Sequence, residues 1–236
     1  MNSKKIKDLS LLLTLTHSER STILNVIRRK LTYLSIGRLK KIVRVCKQIK
    51  KVGMDGMIIE AGCALGGSSI LISKFKPKDT PLHVYDVFGM IPEPTTKDSQ
   101  AEHKRYEKIK SGKSEGIRGD TYYGYENDLY KKVVNNFISS NVNLDENNVH
   151  LIQGLLQDTM KLEDPVAFAH IDVDWFDPVY TSLERIFPRL VSKGCIILDD
   201  YFDWESCRRA TDQYLETVPG QYQLDSQYGS LKITKI

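Results

Sequence analysis

The 236-residue sequence predicts an α/β fold built on a mostly parallel sheet. Two observations support this. From residue 57 onward, short β-branched apolar runs alternate with helix-length segments, and buried strands that alternate with helices form parallel sheets with right-handed crossovers. Residues 222–236 instead hold two alternating runs separated by Gln-Tyr-Gly, which is typical of a hairpin. We therefore expect a mostly parallel, seven-stranded, Rossmann-like sheet with an antiparallel C-terminal hairpin.

The apolar runs give the strands of this sheet, and the segments between them give its helices. The predicted parallel strands are Met57–Ala61, Leu82–Val87, Val149–Gln153, Val166–Val173 and Cys195–Leu198. The predicted helices are Ser68–Phe75, Asp128–Ile138, Pro178–Leu190 and Trp204–Leu215. The predicted strands of the closing hairpin are Tyr222–Asp225 and Ser230–Ile236.

We expect residues 1–50 to form a basic helical segment ahead of the main domain, residues 51–236. Fourteen Lys and Arg in residues 1–51 face only Asp8 and Glu19, a net charge of +12 in a chain whose total is +4. Such an arm could bind nucleic acid or an anionic membrane. We favour two amphipathic helices, with solvated basic residues outside and one apolar face on the core or on a sister subunit. The apolar residues at helical spacing are Ile23, Ile27, Leu31, Leu34, Leu39, Ile42, Val43 and Ile49.

One long insertion, about residues 92–127, interrupts the alternation of strands and helices. It is polar, rich in Lys, Glu, Gly and Ser, and it ends in the aromatic cluster Tyr122, Tyr123 and Tyr125. A connection this long within a compact domain usually covers a binding site. We expect a partly ordered substrate lid, and the alternative is a solvated insertion.

Composition narrows the class of protein. The four cysteines, Cys46, Cys63, Cys195 and Cys207, are spaced too irregularly for a zinc site or a disulfide framework, so we expect reduced and mostly buried thiols. The start of the chain carries no signal-peptide pattern, and no apolar run approaches the roughly 20 residues that span a bilayer. These features favour the cytoplasm.

The end of the first predicted strand has the character of a cofactor site. It reads EAGCALGGSS, with Glu60 at the strand tip and Gly62 in the turn, where glycine lets a ligand approach the backbone. The spacing is neither a dinucleotide fingerprint nor a P-loop. The second strand ends in Asp86, placed to accept hydrogen bonds from a ribose diol, and Phe88 follows, where a ring could pack on adenine. An acid-x-Gly turn followed by this Asp indicates S-adenosylmethionine (SAM), and the alternative is a structural turn with a helix-capping aspartate.

Carboxylates gather after the fourth and fifth strands. HIDVDWFDP contains Asp172, Asp174 and Asp177, and IILDDYFDW contains Asp199 and Asp200. Since parallel strand ends lie side by side, this much negative charge calls for protons or a cation, and Mg²⁺ suits carboxylate oxygens. Some of these residues could merely cap helices. We assign Asp177 as an N-cap before a proline at N1, and Asp172, Asp199 and Asp200 as the metal set.

At these residues the chain closely resembles the macrocin O-methyltransferase family, over roughly residues 55–218. The resemblance rests on EAGCALGGSS, on YDVFGMIPEP, on the G-x-x-x-D-T turn at 154–159, and on IDVDWFDPVYTSLERIFPRLVSKG followed by DDYFDWESCRRATDQY. It implies a Rossmann-like class I SAM methyltransferase fold, Mg²⁺ held by Asp172, Asp199 and Asp200, and Asp174 as general base. The chain departs from relatives at residues 175–177 and in the insertion, which leaves the substrate open.

We therefore predict that the cofactor contacts come from the first four strand ends and the helix after the first strand. The predicted SAM contacts are Glu60, Gly62, Ser68, Asp86, Phe88, Gln153, Gly154 and Asp172. Asp174 and Asp172 are the predicted catalytic residues, and His170 is a rival base. Because residues two apart on a strand face the same way, the chain must leave strand geometry near Val173 for Asp174 to face the substrate.

The predicted function is SAM- and Mg²⁺-dependent methylation of a hydroxyl on a sugar or a glycosylated small molecule, by a protein expected to form a homo-oligomer, a dimer. One alternative is a metal-dependent methyltransferase of the catechol type, which accepts a planar diol. Another is a non-catalytic module that binds SAM or nucleic acid through the basic arm. The rim carboxylates argue against the module because binding alone needs no metal cluster, so we expect no nucleic-acid partner.

Overall fold

A computed structural model of the protein describes residues 10–236 as an α/β fold. The helices are α1 His17–Arg28, α2 Ile36–Val52, α3 Gly67–Phe75, α4 Gln100–Lys110, α5 Leu129–Ile138, α6 Leu156–Thr159, α7 Phe176–Arg189 and α8 Glu205–Leu215. The strands are β1 Met57–Ala61, β2 Leu82–Asp86, β3 Val149–Gln153, β4 Val166–Ile171, β5 Leu190–Leu198, β6 Tyr222–Asp225 and β7 Leu231–Lys235. Helix α4, inside the insertion, was not predicted.

The seven strands form one sheet in the order β3-β2-β1-β4-β5-β7-β6. The first five strands are parallel, and β7 pairs antiparallel with both β5 and β6. The predicted fold, a mostly parallel seven-stranded sheet with an antiparallel C-terminal hairpin, is confirmed. The strand order reverses between β1 and β4, and ligands of open α/β sheets bind beyond the carboxyl ends of the strands at such a point.

The central strands are buried on both faces because helices cover both sides of the sheet. Along β1, Ile58 belongs to one apolar cluster, whereas Ile59 belongs to a second cluster on the opposite face. Phe168 and Ala169 of β4 alternate in the same way. Strands buried on two faces read as continuous apolar runs, which explains why these segments stood out in the sequence.

The N-terminal helices pack on the main domain. Ile23, Leu39, Ile42 and Val43 are fully buried and join the same apolar cluster as Ile58. The predicted apolar face therefore lies on the core of its own chain.

The expectation that the basic residues of this segment are solvated is wrong for Lys40 and Lys41, which are buried, whereas Arg28, Arg44, Lys47, Lys50 and Lys51 are exposed. Five of the eleven Lys and Arg in residues 10–51 hydrogen-bond to parts of the chain outside this segment: Arg29, Lys30, Arg38, Lys41 and Arg44. Lys41 is buried, and its ammonium group donates to the carbonyls of Asp225, Gln227 and Ser230 at 2.9–3.2 Å. These bonds attach the segment to the C-terminal hairpin.

All four cysteines are buried and free, as the sequence predicts. Among residues 10–236, none of the helices has the length and apolar character needed to cross a membrane.

Candidate active site

Three aspartates meet at the carboxyl ends of β4 and β5. One carboxylate oxygen from each of Asp172, Asp199 and Asp200 lies within 4.8 Å of the other two. Backbone hydrogen bonds continue past the strand ends and fix these positions: the Asp172 amide donates to Ala61 at 2.8 Å, and the Asp199 amide donates to Ile171 at 2.9 Å. The structure thus brings together the three residues predicted as the metal set.

The electrostatics of this carboxylate cluster, Asp172, Asp199 and Asp200, favour a bound cation. Burial and the neighbouring Asp199 raise the pKa of Asp172 to about 7. Burial, Asp174 and Asp172 raise the pKa of Asp200 well above its usual range. Oδ1 of Asp199 and Oδ2 of Asp200 are buried without a hydrogen-bond partner among the described residues. Since an unpaired buried acceptor is costly, and hard oxygen donors suit Mg²⁺, the residues present fit a divalent cation.

Asp174 lies next to the cluster but leaves the strand, as expected. Strand β4 ends at Ile171, and Asp174 adopts a left-handed conformation with φ of +58°. Burial raises its pKa to about 6, against the lowering effects of Asp200 and the Arg105 guanidinium. A carboxyl group with a pKa near neutrality is suited to take a proton from a substrate.

His170 and Glu60 form a buried pair beneath the cluster. Nδ1 of His170 lies 3.0 Å from Oε1 of Glu60, and the Ser69 hydroxyl donates to the other Glu60 oxygen. Burial lowers the pKa of His170, but Asp199 and Glu60 outweigh that effect and raise the pKa to about 10. Both side chains are fully buried. His170 is therefore not placed as an accessible base, and the expectation of Glu60 as an acidic rim is wrong, because its carboxylate faces inward.

The glycine turn after β1 serves the protein's own backbone. Gly62 has φ of +82°, and a Cβ at this position would lie 2.0 Å from the carbonyl oxygen of Asp172. A Cβ on Gly67 would lie 2.4 Å from the carbonyl oxygen of Leu31. Glycine is required here because the first turn touches both the β4 end and the N-terminal segment.

Asp86 ends β2 and holds this turn in place. Its carboxylate accepts hydrogen bonds from the amides of Cys63 at 2.7 Å, Ala64 at 3.3 Å and Phe88 at 2.8 Å. Burial raises its pKa despite these bonds. Phe88 is not placed to cover adenine, because it is buried in the core and packs on Tyr130 with ring centroids 5.0 Å apart. Its φ of +48° is unusual for a residue with a side chain.

Two cavities meet at the strand ends and share Gly62, Asp86, Asp172 and Asp174. The first, about 270 Å³, extends past the ends of β2 and β3 along residues 154–157. The second, about 390 Å³, extends towards the N-terminal segment and the insertion and includes the whole carboxylate cluster. Of the predicted cofactor residues, Glu60, Ser68, Phe88 and Gln153 line neither cavity.

The insertion is attached to the helices that follow β4 and β5. Asp98 Oδ1 accepts from the Phe176 amide at 2.8 Å, and Glu102 Oε1 accepts from the Ser206 amide at 3.1 Å. Two insertion carboxylates therefore cap the N-termini of α7 and α8. The prediction of Asp177 as the N-cap of α7 is wrong: α7 begins at Phe176, and Asp177 binds Thr95 and Lys97 of the insertion.

Several residues of the second cavity were not predicted from the sequence. Arg105 and Ile109 come from α4, and Tyr33 and Arg38 come from the N-terminal segment. The Ser99-x-x-Glu102 capping box was a signal for α4, but no local pattern indicated that the N-terminal segment reaches the carboxylates.

Solved structures share this architecture. The O-methyltransferase NovP superposes with a TM-score of 0.72 at 21% identity, covering 87% of this chain and 82% of that protein. The calicheamicin methyltransferase CalS11 gives a TM-score of 0.56 at 14% identity, covering 98% and 91%. An O-methyltransferase from Bacillus cereus, solved with SAH, gives 0.55 at 12% identity, covering 95% and 93%. At these identities the likeness shows the fold.

Sequence comparison gives the family. Demethyldecarbamoylnovobiocin O-methyltransferase of Streptomyces niveus is 23% identical over 189 residues, which cover 78% of this chain and 67% of that relative. The profile of the macrocin O-methyltransferase family (TylF) matches residues 13–220, most of the chain. The resemblance found in the motifs is confirmed: this chain belongs to the macrocin O-methyltransferase family and is an O-methyltransferase.

Proposed function

We propose that the protein transfers the methyl group of SAM to a hydroxyl of a sugar or glycosylated small molecule, with a divalent cation, Mg²⁺, bound at the carboxylate cluster. The observation that carries the proposal is the cluster itself, which has two unpartnered buried oxygens and lines the second cavity, with Asp172 also lining the first.

The first cavity is the proposed cofactor site. It lies beyond β1, β2 and β3, where ligands of this sheet type bind. Gly62, Asp86 and Gly154 line it and remain predicted contacts. The B. cereus neighbour was solved with SAH, the product of SAM. SAM supplies an activated methyl group, so the protein's task is to position the acceptor and remove its proton.

The second cavity is the proposed acceptor site. It combines the cluster with rings of Tyr122, Trp175 and Trp204, and such faces suit the apolar side of a sugar ring. A divalent cation held by Asp172, Asp199 and Asp200 would lower the pKa of an acceptor hydroxyl. Asp174, at the boundary of both cavities, is the proposed base that takes the proton.

The acceptor class rests on relatives. CalS11 is described as a TDP-rhamnose 3'-O-methyltransferase, and the Streptomyces niveus relative is named as a demethyldecarbamoylnovobiocin O-methyltransferase. The description of CalS11 places it in calicheamicin biosynthesis, which supports a natural-product acceptor. The 92–127 insertion, as the proposed lid, would exclude water from the acceptor. A catechol acceptor is the alternative that the test below addresses.

The test separates metal ligand from base. We expect Asp200→Asn to abolish Mg²⁺ binding by calorimetry while SAH binding remains, because Asp200 lines only the second cavity. Asp174→Asn should keep both affinities and lower turnover by roughly 10²–10⁴-fold, as for a lost general base. Asp145→Asn, an exposed residue before β3, is the matched control.

Turnover is followed as SAH formation, with TDP-rhamnose and catechol as probe acceptors. Full activity in EDTA, or loss of metal by Asp174→Asn alone, would contradict the assigned roles. Turnover of catechol but of no sugar would favour the alternative acceptor.

A further inference from the structure

The N-terminal segment reaches the carboxylate cluster through one residue, Arg38 of α2. Its Nη1 donates to Oδ2 of Asp199 at 2.6 Å. Its Nη2 donates to Oδ2 of Asp203 at 2.5 Å and to the carbonyl of Gly229 at 2.6 Å. The side chain of Arg38 is only 16% exposed. One side chain therefore joins α2, the end of β5, the loop before α8 and the β6–β7 turn.

These contacts divide the two oxygens of Asp199 between two tasks. Oδ2 is held by Arg38, whereas Oδ1 has no hydrogen-bond partner among the described residues and lies 4.0 Å from Nε2 of His170. Holding one oxygen fixes the rotation of the carboxylate. The other oxygen is then presented to the cluster.

The position of α2 is itself fixed, so the guanidinium is held in place. A Cβ on Gly37 would lie 2.8–2.9 Å from the ring and Cβ of Tyr228, which shows how closely the helix start approaches the hairpin turn. Lys41, one helical turn after Arg38, donates to three carbonyls of the same turn. Arg38 thus projects from a helix that is anchored on both sides of it.

We propose that Arg38 is a positioning residue for the metal site, so that the N-terminal segment completes this site rather than serving as a tether for nucleic acid or membrane. The inference rests on the proposed function. Groups behind metal ligands set the orientation of those ligands and commonly contribute a factor of about 10–100 in metal affinity. A planar guanidinium fork can serve Asp199, Asp203 and Gly229 together, whereas a lysine ammonium on a flexible stem cannot hold the same geometry.

Two effects of Arg38 oppose each other, and one substitution separates them. A cation near the cluster repels Mg²⁺, so removing the charge would strengthen metal binding, whereas losing the fork would weaken it. Arg38→Lys keeps the charge and loses the fork. Only the loss of orientation then affects the site, so Mg²⁺ affinity is expected to fall.

The experiment measures binding of Mg²⁺ alone, and separately of SAH, by calorimetry on the full chain. Arg38→Lys should weaken Mg²⁺ binding by roughly 10–100-fold and leave SAH affinity within about twofold. Arg44→Lys, an exposed position on the same helix, should leave both affinities unchanged. Asp203→Asn should give a smaller loss of Mg²⁺ affinity, and since Asp203 is 50% exposed this variant tests the fork without disturbing the core.

Three outcomes overturn the inference in distinguishable ways. Arg38→Lys with wild-type Mg²⁺ affinity would refute the positioning role and leave the proposed function standing. Equal losses of Mg²⁺ and SAH affinity together with a lower melting temperature would show a purely structural tie. A wild-type protein that binds SAH but no Mg²⁺ would refute the metal site itself, and the role of Arg38 with it.

Discussion

Replacing Gly62 by alanine tests whether the turn after β1 holds the carboxylate cluster in place. Two costs follow from the structure. A residue with a Cβ at φ of +82° is strained by roughly 1–2 kcal/mol. The new Cβ would also lie 2.0 Å from the Asp172 carbonyl oxygen, so this contact must open by about 1 Å before it reaches the shortest distances that real Cβ atoms show.

Gly53→Ala is the matched control for backbone strain. Gly53 ends α2 with φ of +61°, and nothing lies within 4 Å of a Cβ added there. Its free energy of unfolding should fall only by the conformational cost of roughly 1–2 kcal/mol. The free energy of unfolding of Gly62→Ala should fall by roughly a further 1–3 kcal/mol because of overpacking. The loss can be larger because the obstructing atom belongs to the backbone. The difference between the two variants isolates the steric effect.

The assay is urea unfolding followed by circular dichroism, paired with calorimetry of Mg²⁺. Gly62→Ala should unfold at a clearly lower urea concentration than Gly53→Ala. The melting temperature of Gly62→Ala should lie roughly 10 °C below that of wild type, because each kcal/mol lowers it by about 2–4 °C. Gly62→Ala should also bind Mg²⁺ more weakly, because a shift of the Asp172 carbonyl moves the Asp172 carboxylate with it. Equal stability of the two variants, or a destabilised Gly62→Ala with normal metal affinity, would refute the reasoning.

Two further predictions concern the carboxylates. Burial and Asp199 raise the pKa of Asp172 to about 7, so between pH 5 and pH 7 the folded state keeps a proton that the unfolded chain has released. Metal-free protein should therefore lose stability as the pH rises through this range, by about 1.4 kcal/mol per pH unit at most. Asp172→Asn should flatten this dependence in thermal melts with EDTA. A stability profile that the substitution leaves unchanged would contradict the assignment. Asp86→Ala should weaken SAM binding by roughly 1.5–3 kcal/mol, the range for a hydrogen bond to a charged group, and unchanged affinity in calorimetry would remove Asp86 from the cofactor site.

The sheet and the carboxylate cluster could be predicted because local patterns determine them. Strands buried on both faces read as apolar runs, and β1 and β3 have the predicted bounds. The meeting of Asp172, Asp199 and Asp200 follows from one rule, that neighbouring parallel strands end at the same edge. Neither inference required contacts from distant parts of the chain.

The rest of the site depends on backbone conformation and long-range contacts, which leave little trace in the sequence. Phe88 was expected to cover adenine, but its positive φ directs the ring into the core. Glu60 follows an apolar run like a rim residue, yet it is paired with His170, 110 residues away. Arg38 and Asp199 are 161 residues apart, and nothing near either position indicates the pairing.

The insertion caps α7 and α8 through two carboxylates, and the residues after these carboxylates can be exchanged without removing the caps. Asp98 and Glu102 occupy its first third, and residues beyond them supply the acceptor-facing side chains Arg105 and Tyr122. A chimera that grafts residues 104–127 from a relative would therefore keep both caps, while it also exchanges Tyr123, which lines both cavities, and Asp120, the partner of Lys30. Swapping this stretch should change the acceptor-facing side chains while Asp98 and Glu102 continue to hold the insertion on α7 and α8.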